Sequence, residues 1–353
     1  MKKLLALFLA SIMALSLVAC GGEKEAEKAP ATSAPSTSAP ATEEADDTVY
    51  TLKFGHDSNE DSSYHAGALA LQRIAAEKSD GRLQIEVYNS GALGSESELL
   101  ESVRMGVVDM CFCTAANSST TFPQMGLFSV SFLFEDQEHF DRCVAPGSEL
   151  TEAVKQIVAD ANVGCSLGAV ISQGLRSVEA KVPVRTPADL KGLTMRIMNS
   201  ETENLVWTTV GALPSNIATG ECYSALQTGV IDALENSPAI LNSWKFYEVA
   251  PYVCLTEHQF LMSGLWVSDK VAEKLPADLY DILMESINEA AIEELEFDKE
   301  NDKMGIQALR DNGATIIEDV DKQAFIDLVA PLRDQVAEQL GAQDLVAMID
   351  AQK

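Results

Sequence analysis

Basic residues are scarce in this chain. Its 353 residues hold 25 Lys and Arg against 54 Asp and Glu, for a formal net charge of −29. Nucleic-acid recognition needs clustered Lys and Arg, so that class of partner is excluded. Histidine is rarer still: His56, His65, His139 and His258 are scattered, and none lies in a His-Glu-x-x-His run. There is no phosphate-cradling glycine loop and no Cys-x-x-Cys. Beyond Cys20, the cysteines Cys111, Cys113, Cys143, Cys165, Cys222 and Cys254 match no zinc spacing. Most fall within apolar runs and read as buried free thiols. No metal site or cofactor motif emerges, and His56-Asp57 has no matching nucleophile. The chain reads as a non-enzyme.

Long apolar runs are also missing, except at the very start. Lys2 and Lys3 precede an apolar core from Leu4 to Val18, and Leu17-Val18-Ala19-Cys20 has the form of a lipoprotein signal-peptidase site. That order and length describe an export signal rather than a membrane span. The expectation is a signal peptide at 1–19 and lipidation at Cys20, anchoring the mature protein to the outer face of the plasma membrane (or in the periplasm). Losing Lys2 and Lys3 takes the net charge from −29 to −31. Residues up to 48 are rich in Ala, Pro, Ser, Thr and Glu without apolar periodicity, so 20–48 reads as a disordered tether. Such a tether reaches on the order of 30 Å.

The rest, 49–353, alternates strand and helix signals. Thr51–Gly55 and Leu83–Val87 alternate as strands, Ser62–Lys78 has helical apolar spacing, and Val107–Phe112 is a short buried run. This β-α-β order predicts an α/β architecture. A second buried strand is expected over Val230–Leu234, and Pro276–Asp311 reads as one long helix. Thr219 reads as the cap of a helix over Glu221–Thr228. Trp207, Trp244 and Trp266 read as core.

The most informative stretch is Ile171–Asn199. Thr186-Pro187-Ala188-Asp189 has the form of a capped turn, Gly192 ends it, and Leu193–Ile197 alternates as a half-buried strand. Arg196 then sits near a strand's carboxyl end, where open α/β sheets keep their ligands. Its planar fork of donors suits a carboxylate. Asn236 falls at another strand's carboxyl end. Asp57, Glu96 and Asn117 lie near strand ends or a helix start, and Asp57 and Glu96 would suit a ligand with hydroxyls or an amine besides its carboxylate.

This stretch resembles the solute-binding proteins of TRAP (tripartite ATP-independent periplasmic) transporters, the DctP family. So do "GRLQIEVYNSGALGSESELLESVRMGVVDM", "FSVSFLFEDQEHF" and "GALPSNIATGECYSALQTGVIDALENSP", and the match runs from about Tyr50 to Asp350. The resemblance implies a two-lobed periplasmic-binding-protein-like fold, each lobe a sheet flanked by helices, with the ligand cleft between lobes. It implies lobe I at about 49–173 and 262–301, lobe II at about 174–261 and 302–353, and the long helix spanning the hinge. The arginine after the "D-L-K-G-L" run, Arg196, would clamp a ligand carboxylate. Arg176, twenty residues earlier, would add a second positive group, and Asn236 and Asn199 would contact ligand. The implied function is capture of a small organic acid and its delivery to large and small integral-membrane permease subunits, by a monomer without cofactors. C4-dicarboxylates, 2-oxo acids, sugar acids and aromatic acids all fall within the family's range. Thr219 stands where sialic-acid-binding relatives carry an aromatic, which speaks against that ligand. Two alternatives share the two-lobe design: a receptor read by a sensor kinase, and an ABC-type binding protein.

Overall fold

The computed structural model describes residues 48–353, so the expected signal peptide, Cys20 and the tether lie outside the described residues. Nine strands occur among them: β1 (Tyr50–Gly55), β2 (Leu83–Tyr88), β3 (Met110–Thr114), β4 (Cys165–Ala180) and β5 (Thr194–Ile197), then β6 (Leu213–Asn216), β7 (Ala233–Asn236), β8 (Tyr252–Ser268) and β9 (Thr315–Ile317). They form one sheet in the order β2-β1-β3-β8-β4-β7-β5-β6, with β9 beside β8.

The two expected sheets are therefore joined. The reason lies in β4 and β8, of 16 and 17 residues, which pair antiparallel along most of their length. At about 3.3 Å per residue each runs some 50 Å, enough to serve both halves. One end of the β4–β8 pair carries β3, β1 and β2; the other carries β7, β5 and β6 on one side and β9 on the other. At the crossing, register slips between Ser172 and Leu175 and again between Arg176 and Val178, with Gly174 at φ +84°. Bulges of this kind bend a strand and re-aim its side chains.

Separate apolar clusters fill the two halves. Leu52, Phe54, Leu71 and Ile85 pack under Leu279, Leu283 and Ile287 of the helix Ala277–Asp311. That helix runs on to the other half, where Leu309 joins Leu226, Leu241 and Phe246. It covers the expected long helix nearly end to end. Gly305 permits this contact, because an added Cβ would lie 2.4 Å from the Ala239 nitrogen. The terminal helix Gln343–Asp350 behaves differently from the expected lobe assignment of 302–353. Its Leu345 and Ile349 pack with Phe140, Val154 and Trp266 on the first half, and His139 Nε2 lies 2.8 Å from the Ile349 carbonyl. Trp207 and Trp266 are buried, Trp244 packs against the second-half core, and the six cysteines are buried free thiols.

Two strands start later than expected, for one shared reason. Gly106 and Gly229 adopt left-handed conformations that close the helices before them. The following Val107 and Val230 donate back to Ser102 and Ala225, as in a Schellman motif, and are 65% and 59% exposed. Each valine belongs to a helix end, so β3 and β7 begin three residues further on.

Candidate ligand-binding site

Local chemistry aims the site residues. The Asp189 carboxylate accepts from the Thr186 backbone N–H (2.8 Å) and hydroxyl (3.1 Å), closing the turn Pro187–Leu190 as expected, although as a 3₁₀ turn. Gly192 at φ +80° releases the chain into β5, whose Met195 and Ile197 enter the core. Arg196 faces the other way and is still only 4% exposed. On the first half, Ser95 and Glu98 form a capping box at 2.8 Å, which sets Glu96 at the first turn of the helix Glu96–Met105.

The seven candidates meet. A cavity of about 130 Å³ is lined by Asp57, Glu96 and Asn117 from one half and Arg196, Asn199 and Thr219 from the other. A narrower pocket sharing Asp57, Glu96, Asn117, Arg196 and Thr219 reaches Arg176 and Asn236. A larger cavity, about 350 Å³, lies between Phe128, Phe132, Phe134 and Phe260; none of the seven lines it.

Arg196 donates from Nε to the Ile217 carbonyl (2.8 Å) and from Nη2 to the Thr219 hydroxyl (3.5 Å). Among the described residues no carboxylate forms an ion pair with it. Arg176, fully buried, is differently placed. Its Nε and Nη2 grip the Glu235 carboxylate, Nη2 also donates to the Glu235 carbonyl (2.7 Å), and Nη1 donates to Asn236 Oδ1 (3.1 Å). Ser237 N–H donates to the same oxygen at 2.9 Å. With Oδ1 doubly engaged, the donor Nδ2 is the part of Asn236 left for a ligand.

Burial by itself would raise Glu235, but Arg176 and His258 beside it bring its carboxyl down to about 2. Glu203 shows the reverse: burial and the neighbouring Glu235 push it up to about 7. Its Oε2 accepts from the Met198 N–H (2.7 Å), holding the chain just beyond Arg196.

On the first half, Glu96 collects four donors. Thr114 N–H (3.0 Å), Thr114 hydroxyl (2.7 Å) and Asn117 Nδ2 (2.6 Å) reach Oε2, and Tyr64 hydroxyl (3.1 Å) reaches Oε1. Asn117 Oδ1 in turn accepts from the Asn199 N–H at 2.9 Å, a direct bond between the two halves. Asn199 Oδ1 accepts from Asn216 Nδ2 at 2.9 Å. Burial and Glu96 push Asp57 up to about 7, with Thr219 and Arg196 pulling the other way.

Thr219 was expected to cap a helix and instead begins a 3₁₀ turn, its hydroxyl turned to the site. Glu203 and Thr114, which hold site residues, carried no signal beyond their own letters, and Glu235 stood out only as the neighbour of Asn236 at its strand's end. Only their partners reveal them. The run Gly164-Cys165-Ser166-Leu167-Gly168 has the letters of a nucleophile elbow. Ser166 lies inside β4 opposite Val267 rather than at a strand-to-helix turn, so the match is without the required context.

Comparison with known proteins identifies the family. A solute-binding protein of a Sulfitobacter strain is 31% identical over 80% of this chain and 85% of its own length. The C4-dicarboxylate-binding periplasmic protein DctP of Rhodobacter capsulatus is 28% identical over 84% and 89%. A crystal structure of a TRAP periplasmic solute-binding protein from Polaromonas, bound to D-erythronate, superposes with a TM-score of 0.80 at 26% identity, covering 85% of this chain and 98% of that one. These relatives are substrate-binding proteins, not enzymes. With residues 54–340 matching its model, the chain belongs to the DctP family, bacterial extracellular solute-binding protein family 7.

Proposed function

We propose that the protein captures a small organic acid between the two halves of its sheet, through a carboxylate bound at Arg196, and hands it to TRAP-type permease subunits. The observation that carries this is the state of Arg196: 4% exposed and, among the described residues, bonded only to a carbonyl and a hydroxyl with no ion-pair partner. A desolvated guanidinium in that position gains most from a carboxylate, which takes two parallel N–H donors. Asn236 Nδ2 adds a donor, and Glu96 and Asp57 stand opposite as acceptors. Arg176 contributes by holding Asn236. The bond from Asn199 to Asn117 fits a cleft that closes over its ligand, since a ligand touching both halves favours the closed state by its differential affinity for it. The long helix and the crossing of β4 and β8 supply the hinge. An anchor at Cys20 keeps the monomeric domain beside the permease.

A thermal-shift panel of organic acids, neutral sugars and polyamines tests this. A ligand at a hundred times its dissociation constant adds ~2.7 kcal/mol of stability. Shifts are expected from carboxylates only, and Arg196→Ala is expected to weaken them by tens-fold, given ~2–5 kcal/mol for truncating one partner of a desolvated pair. Shifts from neutral sugars alone, or unchanged affinity in the variant, would remove Arg196 from the role.

A further inference from the structure

The two walls of the site differ in what they offer a ligand. On the second half stand the donors, Arg196 and Asn236 Nδ2. On the first half stand Asp57 and Glu96, with the neutral side chains of Ser58, Ser97 and Gln173 around them and no Lys or Arg from that half lining either pocket. Asn117 adds no charge to this wall: one N–H of its Nδ2 is bound to Glu96 and its Oδ1 accepts from the Asn199 N–H, which leaves a single amide N–H beside two carboxyl groups.

We propose that Asp57 and Glu96 select monocarboxylates bearing hydrogen-bond donors at the end away from the carboxylate, and reject acids that place a second carboxylate there. This rests on the reading of Arg196 as the carboxylate anchor. With its first carboxylate on Arg196, a dicarboxylate would set its second against two carboxyl groups. The other arginine in reach, Arg176, is gripped by Glu235. Above the value of about 7 to which Asp57 is pushed, its carboxylate accepts and does not donate, so it cannot bond a second carboxylate. Hydroxyl or ammonium donors meet the opposite situation: among the described residues Glu96 Oε1 carries a single bond, from Tyr64, and Asp57, beyond a backbone N–H of its own loop, faces Thr219 and Arg196 across the cleft. Burial and the neighbouring Glu96 push Asp57 up, the direction expected where negative charge is already crowded. A third carboxylate adds to that crowding.

Isothermal titration of the purified protein at a pH well above the value of about 7 to which Asp57 is pushed tests the selection. The hydroxyl arm uses D-gluconate and D-galactonate, the ammonium arm 4-aminobutyrate, and the second-carboxylate arm succinate and L-malate. The expected result is that a member of the first two arms binds about ten-fold or more tightly than either dicarboxylate. Which of those arms binds identifies the donor as hydroxyl or ammonium. Asp57→Asn, which adds a donor to the wall, is expected to narrow the ratio several-fold by improving succinate or malate; Asp57→Ser serves if the amide variant does not fold. Succinate or malate binding as tightly as the best monocarboxylate overturns the inference, as does a ratio that neither variant moves. The anchoring reading fails separately: in that case no carboxylate binds, or Arg196→Ala leaves carboxylate binding intact.

Discussion

Arg176 and Arg196 stand twenty residues apart in the chain, both nearly sealed from solvent, in opposite surroundings. Arg176 has its charge cancelled inside the protein by Glu235, with Glu203 and His258 close by. Arg196 has a carbonyl and a hydroxyl and no ion-pair partner among the described residues. Burial of a charge costs several kcal/mol unless a counter-charge and hydrogen bonds offset it. The first arginine is thereby part of the structure, since its loss leaves Glu235 stranded. The second, on the function proposed above, takes an anion from outside, and until then its burial is offset only in part. A shared residue type at the rim of a shared pocket has been given two jobs by what faces it.

The largest test of this contrast is at Glu235. Glu235→Gln strands Arg176 in the interior and should cost about 3–5 kcal/mol in a denaturant melt, whereas Arg196→Ala should leave the melt nearly unchanged and act on affinity. A loss below about 1 kcal/mol for Glu235→Gln would mean that the buried pair is not structural and would break the comparison.

A smaller effect concerns pH. Glu203 sits at about 7, above its ordinary 4.5, so its favourable contribution is full below about 4.5 and is lost as pH rises through about 7. Glu235, brought down to about 2, contributes above about 4.5 and loses that contribution only as pH falls through about 2. The protein should therefore lose stability between mildly acidic and mildly alkaline pH, on the order of 1 kcal/mol or more from Glu203. Glu203→Gln should reduce that slope in melts across the range, leaving the share of Asp57, Asp302 and Asp298, which burial pushes up to about 7, 7 and 6. An unchanged slope would show that Glu203 is not the group that titrates.

The smallest effect tests what aims Arg196. Thr186→Ala removes the hydroxyl of the capped turn before β5 and should cost about 1 kcal/mol, with ligand affinity altered by no more than about two-fold. A large affinity loss at that modest cost would show that this turn, and not the packing of Met195 and Ile197, positions the guanidinium.

Much of the site could be read in the sequence because it is local. Thr186, Asp189 and Gly192 announce a turn, and Leu193 to Ile197 announces a strand whose odd and even residues part ways. The helix Ala277–Asp311 was legible from Leu279, Leu283 and Ile287 at helical spacing. The misreadings at Val107 and Val230 have a local cause too. An apolar residue after a left-handed glycine looks like the first residue of a strand, yet its N–H is already committed to the helix behind it. The long strands β4 and β8 were hidden because both are buried on either face, which removes the alternation that marks a strand.

By itself the sequence determined where chains turn, which faces are apolar, that the molecule is acidic, and which side chains stand at strand ends. Those features depend on neighbours a few residues away. The tertiary structure decided which charges are cancelled. Arg176 meets Glu235 across 59 residues, Glu96 meets Thr114 across 18, and Asn199 meets Asn117 across 82. Only β4 pairing with β7 brings Glu235 beside Arg176. The physical reason is that a side chain's charge is written in its residue type, whereas its balance is a property of everything folded around it.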